Sequence, residues 1–225
     1  MTTNNVWQAL LPPTVIIVQA TDAMWDTPAT EREREFVSRA IPRRQREYQA
    51  GRAAARTALR VLGVEGFDLL PDANRQPIWP AGVVGSLTHA AGLCVAAIAS
   101  SSDVVALGID VEAASPLNAD LIGRVCSTAE QRDLGSLDAY ERDVCAKLIF
   151  SAKEAFYKAY FPATGRFLDF LDVRIRLDAR GGFDAELVAD GSQAFGHVPI
   201  SGRYARRDGL IFTAVSVSRT GRPRP

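Results

Sequence analysis

The sequence predicts an α+β protein built as a pseudo-twofold pair of similar halves, 1–106 and 107–225, with its site in the cleft between them. Two observations predict this. A long helical pattern followed by strands occurs once on each side of residue 107. The segment Gly92-Leu93-Cys94-Val95-Ala96-Ala97-Ile98-Ala99-Ser100 is echoed by Gly209-Leu210-Ile211-Phe212-Thr213-Ala214-Val215-Ser216-Val217. A chain of 225 residues can bury a sizeable core, and two α+β halves placed together leave a groove, a common location for a ligand.

The elements follow in order. Thr14 to Gln19 is a β-branched run and reads as a strand. Asp26 to Ala40 alternates Glu with Arg and reads as a loop followed by a solvated helical turn. Pro42 precedes a helix over Arg43 to Leu62, with Ala54, Ala58, Leu59 and Leu62 on one side and Gly63 as its stop. Pro71 to Gly82 is a loop rich in Pro, Asn, Asp and Gly. Val83 to Leu87 and Leu93 to Ala99 are strands around the turn His89-Ala90-Ala91-Gly92, and Val104 to Glu112 is a third. Ser127-Thr128-Ala129-Glu130 is a capping-box pattern. Helices follow over Glu130 to Leu137 and Arg142 to Tyr160, the latter stopping before Pro162. Leu171 to Leu177, Phe183 to Val188, Gly202 to Ala205 and Leu210 to Val217 read as strands, and the Pro-rich tail after Ser218 as loose chain.

Composition excludes several classes. Formal net charge is zero, so nothing global attracts nucleic acid or an acidic membrane, and any electrostatic function is local. Cys94, Cys126 and Cys145 are odd in number and form no CxxC, which reads as reduced thiols and not a disulfide framework or zinc site. The N-terminus lacks a basic stretch, and two prolines break its apolar run; it reads as neither signal peptide nor membrane span, so a cytoplasmic protein is expected.

The chemistry concentrates in two places. In Gly108-Ile109-Asp110-Val111-Glu112, residues two apart share a strand face, so both carboxylates point one way while Ile109 and Val111 point into the core. Two hard oxygen donors at that spacing suit Mg²⁺, which takes few protein carboxylates and completes its shell with water and phosphate. The alternative is a solvated strand end. In the second helix, Lys147, Ser151, Glu154 and Lys158 form one polar stripe on an otherwise apolar cylinder. Such a stripe faces a cleft; a surface Glu154–Lys158 pair would explain the spacing but not the apolar surroundings or the extra Lys153. His89 ends a strand in a small-residue turn and could hold a phosphate or simply cap the strand, whereas His197 has no carboxylate or Cys near it and reads as structural. Arg44, Arg52, Arg56 and Arg60 form either a basic face for a phosphorylated ligand or a solvated face balanced by Glu31, Glu33, Glu35 and Glu47. Carboxylates and lysines together point to phosphoryl-group chemistry.

In this order the segments resemble the phosphopantetheinyl transferases of the surfactin-synthetase and enterobactin-synthetase type. The matching pieces are the basic helix Arg44 to Leu59, Pro77-Ile78-Trp79-Pro80 with Val84-Gly85-Ser86-Leu87-Thr88-His89, the metal strand Gly108 to Glu112, the signature helix Phe150-Ser151-Ala152-Lys153-Glu154-Ala155 through Pro162, and Leu168-Asp169-Phe170. Phe150 fits the siderophore-associated branch. The resemblance spans roughly residues 42 to 218. It implies a monomer with coenzyme A in the cleft, transferring 4′-phosphopantetheine to a serine of an apo acyl or peptidyl carrier protein domain and releasing adenosine 3′,5′-bisphosphate. It implies Mg²⁺ or Mn²⁺ on Asp110, Glu112 and Glu154, with Lys158 and Lys153 neutralising charge on the phosphate and Glu154 accepting the serine proton. His89 and Ser86 would contact the coenzyme A phosphates, and Arg44, Arg52 and Arg75 its adenylate end. The rival readings are a Mg²⁺-dependent nucleotide pyrophosphohydrolase and a non-catalytic coenzyme A-binding module.

Overall fold

The structure is a computed structural model that describes residues 3–188 and 200–219. His197 and the tail from residue 220 lie outside the described residues. The first half contains α1 (Thr3–Leu10), β1 (Ile16–Gln19), α2 (Asp22–Trp25), α3 (Glu31–Val37), α4 (Pro42–Val61), β2 (Val83–Ala90) and β3 (Leu93–Ser100). The second contains β4 (Val104–Ala113), α5 (Ala119–Val125), α6 (Thr128–Asp133), α7 (Ala139–Thr164), a 3₁₀ turn (Phe170–Asp172), β5 (Val173–Leu177), β6 (Gly182–Leu187), β7 (Ile200–Arg207) and β8 (Leu210–Ser218). The fold is α+β, as expected.

Two antiparallel sheets carry it, in the orders β1-β3-β2 and β4-β8-β7-β6-β5. The two echoed segments, β3 and β8, are interior strands with a neighbour on each side. Apolar segments belong there, because an interior strand has no free edge and little exposed face. Ala54, Ala58 and Leu59 of α4 pack on Ala96 and Ile98 of β3. Gly63, at φ 78°, stops this helix as expected, and Val64 N–H donates back to Leu59 O at 3.0 Å. Residues Thr3–Leu10, which carry no sequence signal for a role, form α1. Its fully buried Trp7 sits in one cluster with Val95 and Ala97 of β3, Ile109 and Val111 of β4, and Phe212 of β8. The helix therefore clasps both halves.

Each half is braced by the same device. Thr30 and Ser127 open α3 and α6 with capping boxes, closed by Glu33 and Glu130. Both glutamates are buried and reach much further than their caps. In Glu33, Oε2 accepts from Thr30 N–H and from Arg56 of α4, while Oε1 accepts from Leu69 N–H at 3.1 Å. In Glu130, Oε2 accepts from Ser127 N–H and from Lys153 of α7, while Oε1 accepts from Ile175 N–H at 2.7 Å. In each half the cation lies 23 residues beyond the glutamate. Asp26–Ala40, expected as loop and solvated turn, thus contains a capped helix with a buried carboxylate.

Several boundaries differ from expectation; α6 covers Thr128–Asp133 where Glu130–Leu137 was expected, and β7 covers Ile200–Arg207 where Gly202–Ala205 was expected. β2 runs through His89 and Ala90, and the turn is the two-residue Ala91-Gly92, both at positive φ. Helix α7 starts at Ala139 and continues past Tyr160 to Thr164, with Pro162 inside it. A proline this near the end removes one hydrogen bond. The last turn is held by the Thr164 hydroxyl on Tyr160 O, the left-handed Gly165 cap and stacking of Tyr157 on Phe161.

α7 lies directly on β4. A Cβ on Gly108 would sit 1.9 Å from Ala155 O and 2.8 Å from Ala159 N. Main-chain atoms cannot yield as a side chain would, so Gly108→Ala should cost more than about 3 kcal/mol in a urea titration. For the buried pair, Lys153→Ala should cost about 3–5 kcal/mol, because it leaves the Glu130 carboxylate without its cation. Adding Glu130→Gln should recover part of that loss, which a double-mutant cycle measures directly.

Candidate active site

Strand β4 presents Asp110 and Glu112 on one face and buries Ile109 and Val111 on the other, as its alternation requires. Because α7 is pressed onto this strand at Gly108, its polar stripe meets those carboxylates. Lys147 Nζ is 3.4 Å from Glu112 Oε2. Ser151 Oγ donates to Asp110 Oδ2 at 2.8 Å. Lys158 Nζ donates to Asp110 Oδ1 at 2.7 Å and to Ile109 O at 3.2 Å. The salt-bridge partner of Lys158 is thus Asp110 across the helix–strand contact, not Glu154 one turn away.

Glu154 accepts no hydrogen bond among the described residues. Burial raises its carboxyl pKa first; Lys158 opposes this, while Asp110 and Glu112 add to it. Glu112 is raised by burial and then by Asp110, against Lys147 and Lys158. Three carboxylates thus crowd one desolvated corner and repel one another. A hard divalent cation would relieve that repulsion, and oxygen donors of this kind suit Mg²⁺. In donor chemistry and charge Asp110, Glu112 and Glu154 fit such an ion. They are not a ready-made cage: among the described residues no three His, Cys, Asp or Glu side chains converge as one. Mg²⁺ keeps most of its shell as water and substrate oxygen, so it needs no such cage.

Glu112 also lines a cleft of 740 Å³ between the halves. Its other walls come from the α3–α4 corner with Ile41, the start of α4 with Arg43, Arg44 and Glu47, and the β2–β3 turn with His89. Glu47 sits at the centre of the basic group, 3.0 Å from Arg43, 3.7 Å from Arg44 and 3.7 Å from His89 Nε2. Arg43, Arg44 and His89 therefore share one cleft with Glu112, the carboxylate of the corner that lines it.

Other expected site residues lie elsewhere. Lys153 is corrected: its ammonium donates to Val125 O, Glu130 Oε2 and Phe170 O, all within 2.9 Å, and is 3 % exposed, so it cannot reach the cleft. Arg52 is buried, its Nε donating to Leu69 O at 3.0 Å and its guanidinium lying 3.9 Å over the Tyr48 ring. Arg75 is exposed at the tip of the Asp72–Gln76 turn, at φ 66°, and does not line the cleft. Ser86 is buried in the seam between the sheets, where its hydroxyl accepts from Ile109 N–H at 3.0 Å.

That seam holds residues the sequence reading missed. β2 and β4 lie side by side without a backbone ladder. Beyond the Ser86 contact, Thr88 Oγ1 accepts from Val111 N–H at 3.1 Å and donates to Asp110 Oδ1 at 3.1 Å. Thr213 of β8, opposite Asp110 in the register, joins through Ser151. The one available signal was the alternation of Ser86 and Thr88, hydroxyls two apart on one strand face.

Residues 32–99 match the family model of the 4′-phosphopantetheinyl transferase N-terminal domain, and residues 106–206 that of the 4′-phosphopantetheinyl transferase superfamily. The chain is 38 % identical over 217 residues to the 4′-phosphopantetheinyl transferase Svp of Streptomyces mobaraensis, covering 93 % of this chain and 88 % of that one. It is 32 % identical over 221 residues to the transferase Npt of Nocardia iowensis, covering 93 % and 98 %. It is 33 % identical over 229 residues to PptT of Mycobacterium tuberculosis, covering 96 % and 99 %. With the basic wall, the carboxylate corner and both family models on one chain, the protein belongs to the 4′-phosphopantetheinyl transferase superfamily.

Proposed function

We propose that the protein transfers the 4′-phosphopantetheine moiety of coenzyme A to a serine hydroxyl of an apo acyl or peptidyl carrier protein domain, in a reaction that requires Mg²⁺ or Mn²⁺ and releases adenosine 3′,5′-bisphosphate. The observation that carries this reading is the meeting of the α7 stripe with the β4 carboxylates at the edge of a basic cleft. Asp110, Glu112 and Glu154 would hold the cation, which supplies electrostatic stabilisation of the pyrophosphate oxygens. Arg44 and His89, with Arg43 beside them, bind and orient the phosphates from the opposite wall. Lys158 holds Asp110 and offers positive charge beside the phosphoryl group as charge builds on the leaving oxygens. Glu154, which accepts no hydrogen bond among the described residues, would accept the serine proton as general base.

Incubation with coenzyme A, Mg²⁺ and a panel of apo carriers, read by intact mass, tests the reading. Expected is carrier modification that stops in chelator and returns with Mg²⁺. Loss of coenzyme A with no carrier present would instead mark a pyrophosphohydrolase. Lys158→Ala should lower kcat by about two orders of magnitude while coenzyme A affinity falls much less, since its interaction grows in the transition state. Near-normal turnover would remove Lys158 from the mechanism.

The two arginines should part company. Arg44→Ala should erase the preference for coenzyme A over its 3′-dephospho form and leave the melting temperature nearly unchanged. Arg52→Ala, which strips the support from Leu69 and Tyr48, should lower the melting temperature and reduce activity on both substrates alike. The ratio of kcat/KM for the two substrates, measured beside thermal melts, separates them.

A further inference from the structure

The Asp110 carboxylate is held by three side chains from two elements, β2 in the first half and α7 in the second. Oδ1 accepts from Lys158 Nζ at 2.7 Å and Thr88 Oγ1 at 3.1 Å, and Oδ2 accepts from Ser151 Oγ at 2.8 Å. An ionised carboxylate offers roughly four lone-pair sites. Three are occupied, and the remaining one is on Oδ2.

The hydroxyl protons behind this pattern can be followed. Thr88 Oγ1 accepts from Val111 N–H, so its own proton is free for Asp110. Ser151 Oγ and Thr213 Oγ1 are 2.9 Å apart, and Thr213 Oγ1 is also 2.9 Å from Ser151 O. Two protons serve three contacts. The charged carboxylate is the strongest acceptor among them, so the Ser151 proton goes to Oδ2. Thr213 then gives its proton to Ser151, at the hydroxyl or the main-chain oxygen. Ser151 and Thr213 are both fully buried, so neither finds water as a substitute. Thr213 also faces Asp110 across the β4–β8 ladder, which places all three polar groups in one spot of an apolar layer.

We propose that Thr213, Ser151 and Thr88 are positioning residues that hold Asp110 with one Oδ2 lone pair free for a divalent cation, so that cation affinity depends on hydroxyls that are not themselves ligands. The inference rests on the cation-dependent transferase reading. A hydroxyl that hydrogen-bonds to a metal ligand in this way typically carries about 10–100-fold in metal affinity.

The test is Mn²⁺ binding, read by electron paramagnetic resonance on the full chain with saturating coenzyme A and no carrier, with protein-free coenzyme A as the blank. Thr213→Val, nearly isosteric, should weaken Mn²⁺ binding about 10-fold, and Ser151→Ala by about 10–100-fold. Thr213→Ser, which keeps the hydroxyl, should stay within about twofold of the parent protein, well inside the range expected for a lost outer-shell bond. In turnover, the Mn²⁺ concentration for half-maximal rate should rise in the Val variant, with most of kcat returning at saturating metal. An unchanged dissociation constant in Thr213→Val overturns the inference, as does a Ser variant as weak as the Val variant, which would assign the effect to packing. Should Thr213→Val not fold, Ser151→Ala and Thr88→Val approach the same carboxylate from other elements, and unchanged binding in both is equally decisive against it. Failure of the unsubstituted protein to bind Mn²⁺ would instead bring down the cation-dependent reading itself, and the inference with it.

Discussion

The main chain of α7 rests on β4 at Gly108, with no space for a methyl group between them. This contact fixes the chemistry of the site. Bringing helix and strand so close lets side chains of ordinary length bridge them: Lys147 to Glu112, Ser151 and Lys158 to Asp110. One more carbon at Gly108 would lift the helix from the strand and part every one of these pairs. The energy that holds the contact is apolar. Ala152, Ala155 and Ala159 are buried small residues that permit the close approach, and Phe156 and Tyr160 fill the core on their side.

Around that contact the two halves are made rigid by buried carboxylates that organise backbone as well as charge. Glu33 and Glu130 each close a helix cap, take a cation from the long helix of their half, and accept a backbone N–H from a later segment. A buried ion pair is costly to desolvate and adds little net stability over an apolar substitute. Its use here is positional, since the same carboxylate sets the relation of three segments at once. Lys153 belongs to this framework; Lys158 instead reaches the Asp110 carboxylate.

The halves meet along β2 and β4 through hydroxyl groups in place of a backbone ladder. Ser86 and Thr88 accept from the N–H groups of Ile109 and Val111, which a neighbouring strand would otherwise satisfy. This seam puts Thr88 on the carboxylate corner and His89, the next residue, on the basic wall of the cleft. The basic wall of the cleft and the carboxylate corner are therefore connected through two consecutive residues. Trp7 of α1 covers the back of the same seam and packs on both sheets.

Much of this was legible in the residues. Alternation in β4 put Asp110 and Glu112 on one face, and helical spacing put Lys147, Ser151, Glu154 and Lys158 in one stripe, because both periods are properties of the local backbone. Caps and stops at Ser127 and Gly63 were equally local. What the chain alone left open was the partner of each face. Lys153 and Glu154 are neighbours, yet about 100° apart around the helix, so one enters a buried node with Glu130 and the other lies near Asp110, Glu112 and Lys158. Arg44 and Arg52 belong to one basic pattern, but the first lines the cleft and the second is buried under Leu69 and against Tyr48. The family resemblance implies Ser86 as a coenzyme A phosphate contact; in the structure its hydroxyl accepts from Ile109 N–H, because β4 lies against β2. Helix α7 passes its proline because aromatic packing and the Gly165 cap outweigh one lost hydrogen bond. Local periodicity assigns a side chain to a face; long-range packing of one element on another settles what that face meets, and with it whether a charge becomes part of the frame or part of the site.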